Sequence, residues 1–197
     1  MALPSLSDEF ANVRLNARWR WVRGPVDVGL SGGMLRLTTS KGDLVDATAP
    51  ALLNGAPQGD YVVETRLNFP LPDAVEAGLV VYGDDRNFVR LTVGALGATR
   101  AALFVKATSD NANRGFPNIN YALAGPAAPT SWLRLVKRTI EGEEQYTAYT
   151  STDGRTWELG GTWTHRLGAN ARVGLVALWG AGYIANFDYL RVFRLSR

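Results

Sequence analysis

A chain of 197 residues with 46% hydrophobic content is long enough to bury a substantial core, and it is expected to fold as one domain over residues 1–197. Its net charge of +3 at pH 7 arises from basic residues scattered among acids with no block of like charge, which argues against a nucleic-acid partner. The absence of cysteine excludes disulfides, thiolate chemistry and cysteine-based zinc sites, and no apolar run approaches the roughly 18 residues that span a bilayer, so no membrane partner is expected.

The N-terminus, Met1-Ala2-Leu3-Pro4-Ser5, lacks the basic-then-apolar layout of a signal peptide. Ser7-Asp8-Glu9-Phe10 leads into Arg18 to Arg23, where alternation puts Trp19 and Trp21 on one face of a strand and arginines on the other. Gly29-Leu30-Ser31-Gly32-Gly33 formally matches a nucleophile elbow. That elbow requires a strand before it, a helix after it and a histidine in reach. Here Met34 to Thr39 reads as a strand, and the single histidine, His165, lies in a threonine-rich loop, so the stretch is read as a turn.

Residues 40–58 read as irregular, interrupted by Pro50 and Pro57. Tyr61 to Phe69 is a long strand ended by Pro70 and Pro72; Val63, Leu67 and Phe69 share one parity, and Glu64, Arg66 and Asn68 the other. That polar parity suits a groove or an ordinary solvated face with a cross-strand ion pair.

Glu76 to Val93 carries two apolar, β-branched runs flanking Gly83-Asp84-Asp85-Arg86, the order of a β-hairpin. Leu79, Val81, Val89 and Leu91 are assigned to the core, and Tyr82, Phe88 and Arg90 to the opposite face. Thr99 to Ala107 is another strand. The polar stretch from Thr108 to Asn120 reads as the longest loop; its asparagines suit sugar hydroxyls and equally suit plain turns, and Phe116 and Tyr121 offer stacking faces.

Trp132 to Arg138 and Glu144 to Thr150 form a second hairpin, and Asp153-Gly154 marks a further turn. Arg172 to Trp179 and Ala185 to Leu195 supply the last strands. No segment holds a helical period over three turns. The chain is therefore read as all-β and antiparallel.

The order of Ser7 to Phe10, Trp19 to Trp21, Leu35 to Thr39, Tyr61 to Phe69, Ala77 to Tyr82, Asn87 to Leu91, Ser151 to Trp157, Val173 to Leu175 and Ala185 to Tyr189 resembles the concanavalin A-like jelly rolls. The nearest resemblance is to the C-terminal β-sandwich of family 43 β-xylosidases and arabinofuranosidases and to related bacterial modules. It spans nearly the whole chain. The resemblance implies a two-sheet antiparallel jelly-roll β-sandwich with one concave outer surface where carbohydrate lies. It also implies that such modules lean on a neighbouring catalytic domain and help shape its pocket, and an extracellular location if the chain is excised from a secreted bacterial glycosidase.

On this footing the expected function is a noncatalytic carbohydrate-binding or glycosidase-accessory module. Trp21, Tyr82, Phe88 or Trp179 would stack on the sugar, and Glu64, Arg66, Asn87, Arg90, Asn118 and Asn120 would hydrogen-bond its hydroxyls. The alternative is a structural domain that docks on a neighbouring catalytic or sensor domain. Hydrolase or lyase activity is disfavoured: Glu64 has no second carboxylate at i+2 or i+4 on its strand, whereas a retaining glycosidase needs a pair roughly 5–5.5 Å apart. No cofactor is required. The resemblance does suggest a structural calcium, with Asp8 and Asp188 at the acidic positions of the first and last strands.

Overall fold

The computed structural model describes residues 1–24, 27–109 and 118–196, and these contain no helix. The strands are β1 (Arg20–Val22), β2 (Val28–Ser31), β3 (Met34–Thr38), β4 (Ala51–Gly55), β5 (Tyr61–Asn68), β6 (Val75–Asp84) and β7 (Asn87–Leu96). They continue as β8 (Thr99–Thr108), β9 (Asn118–Pro126), β10 (Thr130–Ile140), β11 (Glu143–Ser151), β12 (Glu158–Thr164), β13 (Arg172–Leu178) and β14 (Ile184–Arg194). They form two antiparallel sheets of seven strands each, a β-sandwich. The first runs β1-β4-β13-β6-β7-β8-β9 and the second β12-β11-β10-β5-β14-β3-β2.

Alternation along each strand sorts its side chains. In the hairpin of β6 and β7, Leu79 lies opposite Leu91 and Val81 opposite Val89, and all four are fully buried between the sheets, as their parity predicts. Val63, Leu67, Leu133, Leu135, Phe187, Leu190 and Val192 meet them from the second sheet. Burying each such side chain contributes about 1.5–3 kcal/mol, so this layer is the main source of cohesion.

A second apolar cluster lies on the far side of the first sheet. Val80, Tyr82, Phe88, Leu103, Val105 and Val176 are buried there beneath Leu44 and Ala49. The covering segment, residues 39–50, is held by its own turn: Ala49 N–H donates to the Asp43 carbonyl at 3.0 Å and Ala47 N–H to that of Leu44 at 3.0 Å. The irregular conformation expected for residues 40–58 holds for this cover but not for β4, which pairs with β1 and β13 inside the same stretch.

The stretch from Gly29 to Gly33 is also partly strand. Ser31 ends β2, Gly32 and Gly33 turn with positive φ of 62° and 74°, and β3 follows with no helix. Glycine suits that turn because left-handed backbone costs it nothing. β9 takes up the end of the stretch expected to be loop.

Candidate functional site

The residues expected to form one glycan site are divided among several surfaces. Tyr82, Phe88 and Arg90 do lie on the outer parity of the first sheet. Glu64 and Arg66, however, lie on β5, which pairs with β10 and β14 in the second sheet, so they face the opposite side of the sandwich. Alternation along a strand tells in from out; it does not tell which sheet the strand joins.

Three further expectations are corrected by position. Trp21 lies opposite Leu52 and packs half-buried against the inter-sheet core, so its ring serves the interior. Asn87 staples the hairpin turn: its amide donates to both Asp84 oxygens at 3.0 Å, and its carbonyl oxygen accepts from Ser109 N–H and Oγ at 3.1 Å. Asn118 and Asn120 lie opposite Thr108 and Lys106, on the parity of Phe104 and Ala122 rather than that of Arg90. Trp179 stands 39% exposed in the turn after β13, where its N–H reaches the Gly42 carbonyl at 3.3 Å. Phe116 lies outside the described residues.

At the centre of the first sheet's outer face, Arg90 is fully buried instead of being presented to solvent. Its Nη1 donates to Asp43 Oδ1 at 2.5 Å and its Nη2 lies 3.4 Å from Glu76 Oε2. Thr92 Oγ1 donates to the same Glu76 oxygen at 2.7 Å. Asp43 comes from the covering segment, which is why a local reading of the hairpin leaves Arg90 open. Phe88 is likewise fully covered. Tyr82 donates its phenol to Asp85 Oδ1 at 2.5 Å, and burial, with that hydrogen bond, pushes its pKa up to about 12.

The polar count around Arg90 does not close. Arg90 Nε and Asp43 Oδ2 are buried with no well-formed hydrogen bond, and Arg90 Nη2 has only its 3.4 Å contact with Glu76. Across the sheet, Arg90 lies opposite Val105 on β8, and Val105 lies opposite Tyr121 on β9. Tyr121 is 53% exposed. Burial of its inner part raises the phenol's pKa while Arg90 pulls the other way, a coupling that places the hydroxyl near the guanidinium. Tyr121 reads from the sequence only as a loop stacking face, although the alternation of Ile119, Tyr121 and Leu123 marks a strand with these three on one side.

The second sheet's outer face is organised in rows. Tyr149, Arg134, Glu64 and Arg191 stand opposite one another on four adjacent strands. Glu64 is buried and saturated: Arg134 Nε and Nη2 donate to its Oε2 at 2.9 and 2.6 Å, and the Tyr189 hydroxyl donates to its Oε1 at 2.8 Å. Arg66 pairs with Asp188 and lies 5.1 Å from the Trp132 ring centroid, and Arg134 stacks on Trp157 at 3.7 Å. The cross-strand ion pair expected on this face is therefore present.

The positions expected for calcium do not fit the ion. Asp8 Oδ2 accepts from Trp19 Nε1 at 2.8 Å and pairs with Arg18 at 3.2 Å, while its Oδ1 accepts from Phe10 N–H at 3.0 Å. Asp188 is engaged by Arg66. Each carboxylate already has a guanidinium where a hard cation would want more oxygens, and no group of three or more His, Cys, Asp or Glu is arranged for a metal among the described residues.

Two antiparallel sheets packed face to face with this strand content define a concanavalin A-like β-sandwich. The chain belongs to the family of β-xylosidase C-terminal concanavalin A-like domains, which it matches over residues 7–192. Among solved structures it is similar to the GH43 protein BlXynB from Bacillus licheniformis, with 21% identity and a TM-score of 0.82. It covers 98% of its own length there and 40% of that chain. A bifunctional GH43-CE protein from Bacteroides eggerthii gives 17% identity and a TM-score of 0.82, over 99% of this chain and 27% of that one. A functionally unknown protein from Saccharomyces cerevisiae gives 17% identity and a TM-score of 0.68, over 92% of this chain and 98% of that one. At these identities the likeness concerns the fold. The chain thus spans less than half of the GH43 proteins and nearly all of the yeast protein. No curated protein matches it.

Proposed function

We propose that this chain is a non-catalytic, glycan-binding accessory module of the GH43 type, which takes sugar on the outer face of its first sheet at Tyr121. The observation that carries this reading is the set of unmet polar atoms beside a half-exposed ring. Arg90 Nε is a donor and Asp43 Oδ2 an acceptor, neither with a well-formed hydrogen bond, and Arg90 Nη2 meets Glu76 only at 3.4 Å. A pair of sugar hydroxyls accepts from the two guanidinium nitrogens and donates to the Asp43 oxygen, while the tyrosine ring covers the apolar face of the pyranose. Entry requires the Tyr121 side chain to swing away from Arg90, a rotation open to a residue on an edge strand. The non-catalytic role is supported by the carboxylates themselves. Glu64 and Glu76 stand on different sheets, and each is held by a guanidinium and a hydroxyl, which leaves neither as a free acid–base partner for a glycosidic oxygen.

Titration of the protein with neutral xylo-oligosaccharides, followed by calorimetry and by amide chemical shifts, tests the reading. Binding is expected to perturb β7 to β9, and Tyr121→Ala is expected to weaken it by about tenfold, the equivalent of one stacking contact. Equal affinity in Tyr121→Ala, or no neutral glycan bound at all, overturns it.

A second reading, docking on a neighbouring domain, is favoured by one seam. β9 and β12 are edge strands of different sheets that lie against each other, and they expose Leu123 by 69% and Leu159 by 67%. A catalytic domain beside this chain would cover that seam.

A further inference from the structure

We propose that the outer face of the second sheet carries a separate binding groove for a carboxylate-bearing sugar, a uronic acid, with Arg138 as the residue that recognises the acid. The groove encloses about 540 Å³ and is lined by Val62, Val136, Phe193, Tyr149, Arg134 and Arg138 among others. Its floor follows from register. Val136 lies opposite Val62, and Val62 lies opposite Phe193, so three adjacent strands present an apolar row with no polar side chain in it. The next row supplies the Tyr149 ring on one side. The volume falls in the range of organic-ligand pockets, roughly 300–1,000 Å³, and far exceeds what an inorganic anion fills.

The charge of the face is what selects the ligand. Arg66, Arg134 and Arg191 are answered by Asp188, Glu64 and Glu9. Glu64, the buried acid at the groove's edge, has both oxygens occupied and offers a ligand nothing. Arg138 is different: it is exposed, shares the outward parity of Arg134 and Val136, and has no carboxylate partner among the described residues. A planar guanidinium over an apolar floor calls for a ring that lays an apolar C–H face on the floor and carries a carboxylate, which the guanidinium can bind through two parallel hydrogen bonds. Arg134, neutralised by Glu64 and stacked on Trp157, is too constrained to serve as that fork and forms the wall instead. The choice of a sugar as the body rests on the glycan-module reading above; the demand for an anion does not.

The test compares an oligosaccharide carrying one glucuronate with the same oligosaccharide carrying glucose in its place, by calorimetry and amide shifts on the full chain. The acidic probe is expected to shift Val62, Val136 and Phe193, to bind more weakly as salt rises, and to lose about tenfold in affinity in Arg138→Ala, the worth of one charge-assisted hydrogen bond. Arg138→Lys should recover part of it. Arg138 is exposed, so these variants fold, and Tyr121→Ala should leave the acidic probe's affinity for this groove unchanged. Equal binding of acidic and neutral probes in the groove, no shifts there with either, or an unaltered affinity in Arg138→Ala overturns the proposal. So does displacement of the sugar by a short poly-aspartate peptide that binds more tightly, which would assign the groove to an acidic protein partner. Loss of neutral-glycan binding at Tyr121 bears only on the first sheet.

Discussion

Arg90 concentrates the energetics of the first sheet in one side chain. It is a fully buried cation held between two carboxylates, Asp43 and Glu76. Replacing a buried pair by well-packed apolar groups is often neutral, but removing one member strands the other. Arg90→Ala strands two acids at once and opens space above Val80 and Val105. It is therefore expected to cost about 3–5 kcal/mol, read as a lower urea midpoint with an unchanged slope. A loss under about 1 kcal/mol would mean that the covering segment relaxes and lets water in. The sequence allowed half of this to be read. Alternation put Arg90, Tyr82 and Phe88 on the outer face of the hairpin, where they are. What covers that face comes from residues 39–50, a stretch without periodicity, and no pattern within the hairpin encodes a lid supplied from elsewhere in the chain. The same limit separated Glu64 from Arg90, since each strand signals its own two faces and not its neighbours.

At the scale of elements, β1, β3, β5, β6, β7, β8, β10, β11, β13 and β14 were legible, most of them through β-branched, aromatic and leucine residues in alternation. Those that escaped have weaker chemistry. β2 is Val-Gly-Leu-Ser and reads as a turn, β4 is Ala-Leu-Leu-Asn-Gly between prolines, β12 carries Gly160-Gly161, and β9 follows a polar stretch that reads as loop. Three of the four, β2, β9 and β12, are sheet edges, where half the backbone groups have no ladder partner and little apolar patterning is demanded. The turn between β11 and β12 was legible through its Asp-Gly pair, and its energetics can be stated. Asp153 accepts the backbone N–H groups of Arg155 and Thr156 at 2.7 and 2.8 Å and the Ser151 hydroxyl at 3.0 Å, and these bonds hold its pKa down at about 2. A carboxyl with a depressed folded value stabilises the turn fully above its ordinary pKa, near 4, and the contribution is lost as pH falls through about 2. Carboxyl carbon shifts followed by NMR from pH 6 downward should place the Asp153 midpoint near 2. A midpoint at the ordinary aspartate value would show that the turn hydrogen bonds do not persist in solution.

For the molecule as a whole, strand alternation predicted an all-β antiparallel chain, and the resemblance to the concanavalin A-like jelly rolls implied its two packed sheets. The structure adds the strand order, which no local signal carries. β13 is inserted between β4 and β6, and β14 between β5 and β3. Without them the first sheet falls into β1-β4 and β6 to β9, and the second into β12-β11-β10-β5 and β3-β2. Truncation after Asn170 should therefore yield a chain with no cooperative unfolding transition and with exchange-labile amides on β4 and β5. A truncated chain that melts cooperatively would contradict this. The order has a consequence for synthesis. On a ribosome, every strand of both sheets except the last two emerges before either sheet can be closed, so the nascent chain must carry several unpaired strand edges until residues 172–194 have been made. Folding is then gated by the arrival of β13 and β14, and the interval before it is when the module is most exposed to chaperones, proteases and pairing with its own copies.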